Sequence, residues 1–267
     1  MFEYFSGELR QSDCYRTDVR GHCKTTNMRQ ILTTIILFTS LISFGQSYEG
    51  TLTYVADFEV SEKLVKMGMT KQILLDKMKS EGSWSDTIRV SYKQGNYYTL
   101  LNNNPKSWSI YKSDNNKIYS MQDGKASDIC TVTDASIDLE FAMTGKMPTV
   151  EKLKTTVVVK GTSFNIVRVK WESGTYDYYY NQTMLTVDAS LFAKHTYDGW
   201  AKFLKISNSL PLKIVKTTKG MMTVTLTLVS SKIKVIDEKL FSIPKLVPDK
   251  NLNIVKIANR EIMRIKK

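Results

Sequence analysis

The chain has 267 residues and a net charge of +12 at pH 7, with 38 Lys and Arg against 26 Asp and Glu. That balance draws a protein towards anionic lipid head groups or acidic glycans, or simply solvates exposed strand faces with lysine. No repeat, low-complexity tract or Pro-rich linker divides the chain, which excludes a repeat architecture and argues against two domains.

Met28-Arg29-Gln30 precedes a run without charge from Ile31 to Gln46, with small residues at Ser43, Gly45 and Ser47. This is the n-region, h-region and exit of a secretory signal peptide. Its apolar part, Ile31 to Phe44, falls short of the roughly 20 residues of a bilayer span. Residues 28–46 are therefore read as a cleaved signal peptide and residues 1–27 as a start-site artefact, with Met28 as initiator. The competing reading is a cytoplasmic tail on an uncleaved anchor. The mature chain is then periplasmic or secreted, in a Gram-negative envelope, an address that excludes nucleic acid as a partner. Cys14, Cys23 and His22 leave with the leader, so Cys130 and His195 each stand alone. No intramolecular disulfide, zinc set, other metal site or cofactor is expected. Cys130 reads as a small buried hydrophobe, with a Cys130–His195 nucleophile pair as the alternative.

Along the mature chain, Thr51, Thr53 and Val55 alternate with Leu52, Tyr54 and Ala56 in a first strand over 50–58. Ser61 then caps a helix to Ser80, with Gly68 splitting it and Thr70 capping the second piece. Its apolar side holds Met67, Leu74 and Met78, soft residues that suit either a lid over a ligand or core filling. Strands follow over 87–93, 97–102, 107–113 and 117–121, separated by turn residues such as Gln94-Gly95-Asn96 and Asp114-Asn115-Asn116. Residues 134–144 form a short helix ended by Gly145, and strands resume over 155–160, 164–171 and 175–181. Asp134, Asp138 and Glu140 lack the alternating-ligand pattern of a calcium loop and read as a solvated helix face. Tyr176, Tyr178 and Tyr180 share one strand face, where they line a cavity, stack on sugars or pack the sheet. A brief helix over 187–192 and a strand over 200–207 lead to the block from Leu210 to Pro244.

In that block Met222, Val224, Leu226 and Leu228 alternate with threonines, after a turn at Lys219-Gly220. The apolar set changes parity beyond Ser230-Ser231, which requires a bulge or tight turn before a third strand. The expected fold is mainly β (α+β): one curved antiparallel sheet or half-barrel of about ten strands, with two or three short helices on its concave side. It spans residues 47–248. Residues 249–267 form a basic tail, with Ile254, Ile257, Ile262 and Ile265 among lysines and arginines, that lies on a membrane or forms a C-terminal helix.

Leu210-Pro211-Leu212, the turn at Lys219-Gly220, the alternating strand and the closing phrase from Asp237 to Lys245 resemble the LolA/LolB-like superfamily of periplasmic carriers, in its outer-membrane lipoprotein-sorting-like and uncharacterised branches. The resemblance implies a sheet wrapped round helices and enclosing an apolar cavity for lipid or a lipoprotein acyl chain. The lid arginine of such carriers has no match here, because neither Arg89 nor Arg168 stands in the motif. The expected function is non-enzymatic: sheltering a hydrophobic ligand, with Met67, Leu74, Met78, Tyr178, Met222, Val224, Leu226 and Leu228 as cavity candidates and an anionic membrane surface as a further partner. The alternative is an envelope structural or glycan-interaction module without a lipid cavity.

Overall fold

Leu52, Tyr54, Ala56 and Phe58 are all buried on one side of β1 (Gly50–Val60), so the alternation that marks this strand in the sequence also places it at the centre of a sheet. The computed structural model describes residues 47–159, 161–252 and 259–266, within the unit Gly45–Lys267. Both readings of the leader, residues 1–46, and Ile254 and Ile257 of the tail lie outside the described residues.

The next strands are β2 (Thr87–Lys93), β3 (Asn96–Leu101), β4 (Ser107–Lys112), β5 (Lys117–Gln122), β6 (Ile129–Asp134), β7 (Thr149–Lys152) and β8 (Val157–Val159). They are followed by β9 (Thr162–Lys170), β10 (Gly174–Tyr180), β11 (Lys213–Thr218), β12 (Met222–Ile233), β13 (Leu246–Pro248) and β14 (Arg260–Ile265). All belong to one open antiparallel sheet of 14 strands, in the order β13-β14-β6-β5-β4-β3-β2-β1-β12-β11-β10-β9-β7, with β8 attached to β9. The mainly-β expectation holds in this coarse form, with more strands than the ten expected.

The helices are α1 (Glu62–Lys66), α2 (Lys71–Ser80), α3 (Leu139–Thr144) and α4 (Trp200–Ser207). Ser61 caps α1 by accepting from the Leu64 N–H, and Thr70 caps α2 by accepting from that of Ile73. Gly68, at φ 84°, makes the break between them, and Gly145, at φ 71°, ends α3. Among the described residues no helix is long and apolar enough to cross a membrane.

Residues 200–207 are a helix, not a strand: Trp200, Phe203, Leu204 and Ser207 are buried at helical spacing, a single stripe that a strand would split between its faces. Residues 260–265 are the strand β14, paired with β6, rather than part of a free or helical tail. β12 runs unbroken to Ile233, so no third strand follows it in the block; the extra residue is Val229, bulged where the β1 register moves from Thr53↔Ser230 to Tyr54↔Leu228. The helix at 187–192 is a 3-10 turn, Ala189–Phe192.

Two hydrophobic clusters lie on opposite faces of the β4–β6 region. The larger gathers Leu52, Tyr54, Val90, Tyr111, Val169 and Tyr178 under α4, and burial of Trp200, Phe203 and Leu204 contributes about 1.5–3 kcal/mol each. The smaller sets Ile110, Tyr119, Met121, Cys130 and Val132 against Ile236 and Phe241. The helical stripe is testable by urea unfolding. Phe203→Ala should lower stability by about 3–5 kcal/mol, whereas Lys202→Ala, on the exposed side of α4, should change it by less than about 0.5 kcal/mol. Equal costs at the two positions would contradict the helix.

Candidate functional site

Cross-strand register carries side chains from distant parts of the chain onto one inner surface. One row runs Tyr92, Tyr97, Tyr111, Ile118, Thr133 and Arg260, over β2 to β6 and β14. The next row, one pleat along, runs Val90, Thr99, Ser109, Ser120 and Thr131. From the other half of the sheet come Tyr178, Ile214 and Leu226, paired across β10, β11 and β12. Between these surfaces lies a cavity of about 560 Å³, of the size of small-molecule sites.

Its third side is the segment His195–Trp200, which the fold holds from several directions. Thr196 and Tyr197 donate backbone N–H bonds to the Ala135 carbonyl, at 2.8 and 3.0 Å. Asp198 (φ 56°) and Gly199 (φ 69°) are consecutive left-handed residues that turn the chain into α4. A Cβ on Gly199 would lie 2.7 Å from Val169 Cγ1, so glycine is required there for space as well as for conformation. The Asp198 N–H donates to Asp138 Oδ2 (3.0 Å), and the Tyr178 hydroxyl donates to the Asp198 carbonyl (2.8 Å). Asp138 is itself buried and accepts from Trp171 Nε1 at 2.9 Å. Lys216 Nζ donates to Asp198 Oδ2 at 3.0 Å and lies 4.4 Å from the Tyr176 ring centroid.

The cavity's polar corner is set by this segment. His195, 3% exposed, shares a 2.8 Å hydrogen bond between its Nε2 and the Tyr97 hydroxyl. Arg260 Nη2 donates to the Tyr197 hydroxyl at 3.2 Å. Burial pulls the His195 imidazole down to about 4, against the opposing pull of Asp198, so the ring is neutral at pH 7. Burial also lowers the Lys216 ammonium, but Asp198 and Tyr176 more than offset this and hold it above the ordinary lysine value. The Tyr97 and Tyr178 phenols are pushed well up, chiefly by burial, and stay protonated.

The lining is therefore mixed. Val90, Ile118, Ile214 and Leu226 are aliphatic, and Tyr92, Tyr97, Tyr178, Tyr197 and Trp200 are aromatic. Among the described residues, Thr99, Ser109, Ser120 and Thr131 have no side-chain hydrogen-bond partner. Ser109, Ser120 and Thr131 also line a smaller neighbouring cavity of about 340 Å³, beside Trp108 and Leu101. No serine, threonine or cysteine side chain bonds to His195 among the described residues, and no group of three metal-ligating side chains occurs among them. Cys130 belongs to the outer cluster, while Thr131 and Thr133 beside it face the cavity, so the pleat sets its thiol on the opposite face from His195. Burial raises that thiol to about 11.

Of the residues expected to form a cavity, Tyr178 and Leu226 line this one together. Leu228 packs on the larger core cluster, paired with Tyr54, while Val224 and Met222 continue the strand opposite Phe58 and Val60. Met67 is 67% exposed, Leu74 is buried, and Met78 is half-buried on α2, which is tied to β1 by the 2.6 Å ion pair of Lys71 with Asp57. No residue of 61–80 lines the cavity. Sequence reasoning missed Tyr97, Asp198, Lys216 and Arg260. The one local signal was Asp198-Gly199, a turn dipeptide directly before a tryptophan.

No family model matches the chain, and no curated protein sequence matches it. Two structures of PNGF-II, in the C2 and P21 space groups, are similar to it at 12% and 11% identity and a TM-score of 0.38. Each likeness covers 72% of this chain but only 29% and 30% of the PNGF-II chains, so the chain spans less than a third of their length.

Gly199→Ala should cost about 2 kcal/mol or more, through left-handed strain and the clash with Val169, measured by chemical denaturation; a neutral result would contradict the tight turn. The folded protein takes up the His195 proton only near pH 4, whereas the unfolded chain takes it up near 6.5. Stability tied to His195 is whole above pH 6.5 and is lost as pH falls to about 4, on the order of 3 kcal/mol. His195→Gln should flatten the decline in that window, and an unchanged slope would contradict the buried neutral ring.

Proposed function

We propose that the protein is an exported, non-catalytic binding module, and that the cavity shelters an amphiphile with an acyl-like body. The observation that carries this reading is the half-open volume of about 560 Å³ beneath a segment fixed at both ends, with an apolar wall of Ile214, Leu226 and Tyr178 facing a polar corner. A side chain of this protein would gain by filling such a space, so a volume left open beside an otherwise packed core favours a guest. Burial of the guest's apolar surface, at roughly 25 cal/mol per Å², would supply most of the affinity.

The finer architecture is part of the proposal. Strands as far apart in the sheet as β14 and β10 contribute to one cavity, which supports a half-barrel of the LolA/LolB-like kind, entered here on the block from Leu210 to Lys245. The helical pair α1–α2 does not serve as its lid in this arrangement; His195–Trp200 closes the cavity instead. The signal-peptide reading of residues 28–46 supplies the periplasmic address, and the basic charge supplies attraction to an anionic membrane surface. The row of unpartnered hydroxyls from Thr99 to Thr131, bordered by Tyr97, favours a second reading, a glycan-binding module.

Native mass spectrometry of protein purified from a cell-envelope fraction separates the two. The first reading expects an acyl-containing adduct that Leu226→Trp, which fills the cavity, reduces at least several-fold. A carbohydrate adduct, or no adduct on a folded protein, would refute it.

A further inference from the structure

Three of the buried side-chain polar atoms without a hydrogen-bond partner belong to residues that line this cavity: Nδ1 of His195, Nε1 of Trp200 and Nε of Arg260. A buried polar atom left unpaired costs free energy, and these three belong to residues around one cavity. Trp200 Nε1 and Arg260 Nε are obligate donors. The remaining atom, His195 Nδ1, donates or accepts according to the ring tautomer, which the bond between Nε2 and the Tyr97 hydroxyl leaves open.

Charge points the same way. The acid in this lining is Asp198, and Lys216 holds it at 3.0 Å. Arg260 is different: its one side-chain bond among the described residues is to the neutral Tyr197 hydroxyl, and no carboxylate there pairs with it. A partly buried guanidinium without a counter-ion is a costly arrangement that an arriving anion relieves, and its fork of N–H donors matches carboxylate or phosphate oxygens.

We propose that the Arg260 guanidinium, beside the Tyr197 hydroxyl, binds the anionic head of the ligand, a carboxylate or a phosphate, while the apolar body lies against Leu226, Ile214 and Tyr178. The inference rests on the binding-module reading above and adds the chemical class of the head group. Neutral amphiphiles and free sugars leave Arg260 unpaired and are the poorer ligands.

The test is calorimetric titration of the whole protein with decanoate, decyl phosphate and decyl glucoside, each below its micelle concentration. Decanoate or decyl phosphate should bind about tenfold more tightly than decyl glucoside, the tighter of the two identifying a fatty-acid or a phosphate head. Arg260→Gln should remove that preference, weakening decanoate and decyl phosphate by about tenfold more than decyl glucoside. Arg260→Lys, which keeps the charge and deletes the guanidinium fork, should reduce the preference about threefold and serves if Arg260→Gln does not fold. Equal binding of all three amphiphiles, or a preference that survives in the folded variants, would overturn the anionic head while leaving the cavity reading intact. No binding of any of the three would overturn both.

Discussion

The left-handed pair Asp198–Gly199 is the point on which the inner face of this sheet depends. An open antiparallel sheet of this width must cover its apolar face, and the chain does so with one segment running from the 3-10 turn Ala189–Phe192 through α4. The turn at Asp198–Gly199 sets the angle at which α4 leaves that segment, and it is pinned by Lys216 and Tyr178 from one half of the sheet and through Asp138 and the Ala135 carbonyl from the loop after β6. Val169 leaves room for nothing larger than glycine. The two halves of the sheet are thereby held around a common segment, and the cavity is the space that this spacing leaves unfilled.

What the cavity holds follows from how the rows of side chains fall. A strand pleat sends alternate residues inward, so a change in residue type along the strand becomes a change in the character of the wall. Tyr97 and Tyr111 give way one pleat later to Thr99 and Ser109, and the aliphatic wall stands opposite, on β11 and β12. An exclusively greasy ligand would strand those hydroxyls and the Arg260 guanidinium. Under the proposed reading the ligand is amphiphilic for that reason, with its charged end at the Arg260 guanidinium.

Much of the sheet was legible because its signals are local. β2 to β5 carry both alternation and turn residues, and Ser61, Thr70 and Gly145 mark helix ends by chemistry within a few residues. The failures have local causes as well. α4 starts at Gly199 without a side-chain cap, so an eight-residue run rich in apolar residues read as a strand. β14 mixes Arg260, Glu261 and Arg264 with its apolar residues, and only its pairing with β6 makes it a strand. The site was less legible than the fold. Tyr178 and Leu226 were readable as inward-facing residues of strong strands, but Lys216, Asp198, Tyr97 and Arg260 meet through register between elements more than a hundred residues apart in places.

Under the proposed function the space between the sheet and His195–Trp200 is a ligand site and not slack packing. A crystal structure of the protein purified from its own cell envelope tests that most directly. The expected result is continuous extra density along Leu226, Ile214 and Tyr178, ending within hydrogen-bond distance of Arg260. A cavity closed by its own side chains, with Tyr197 or Leu226 occupying the volume, would contradict it.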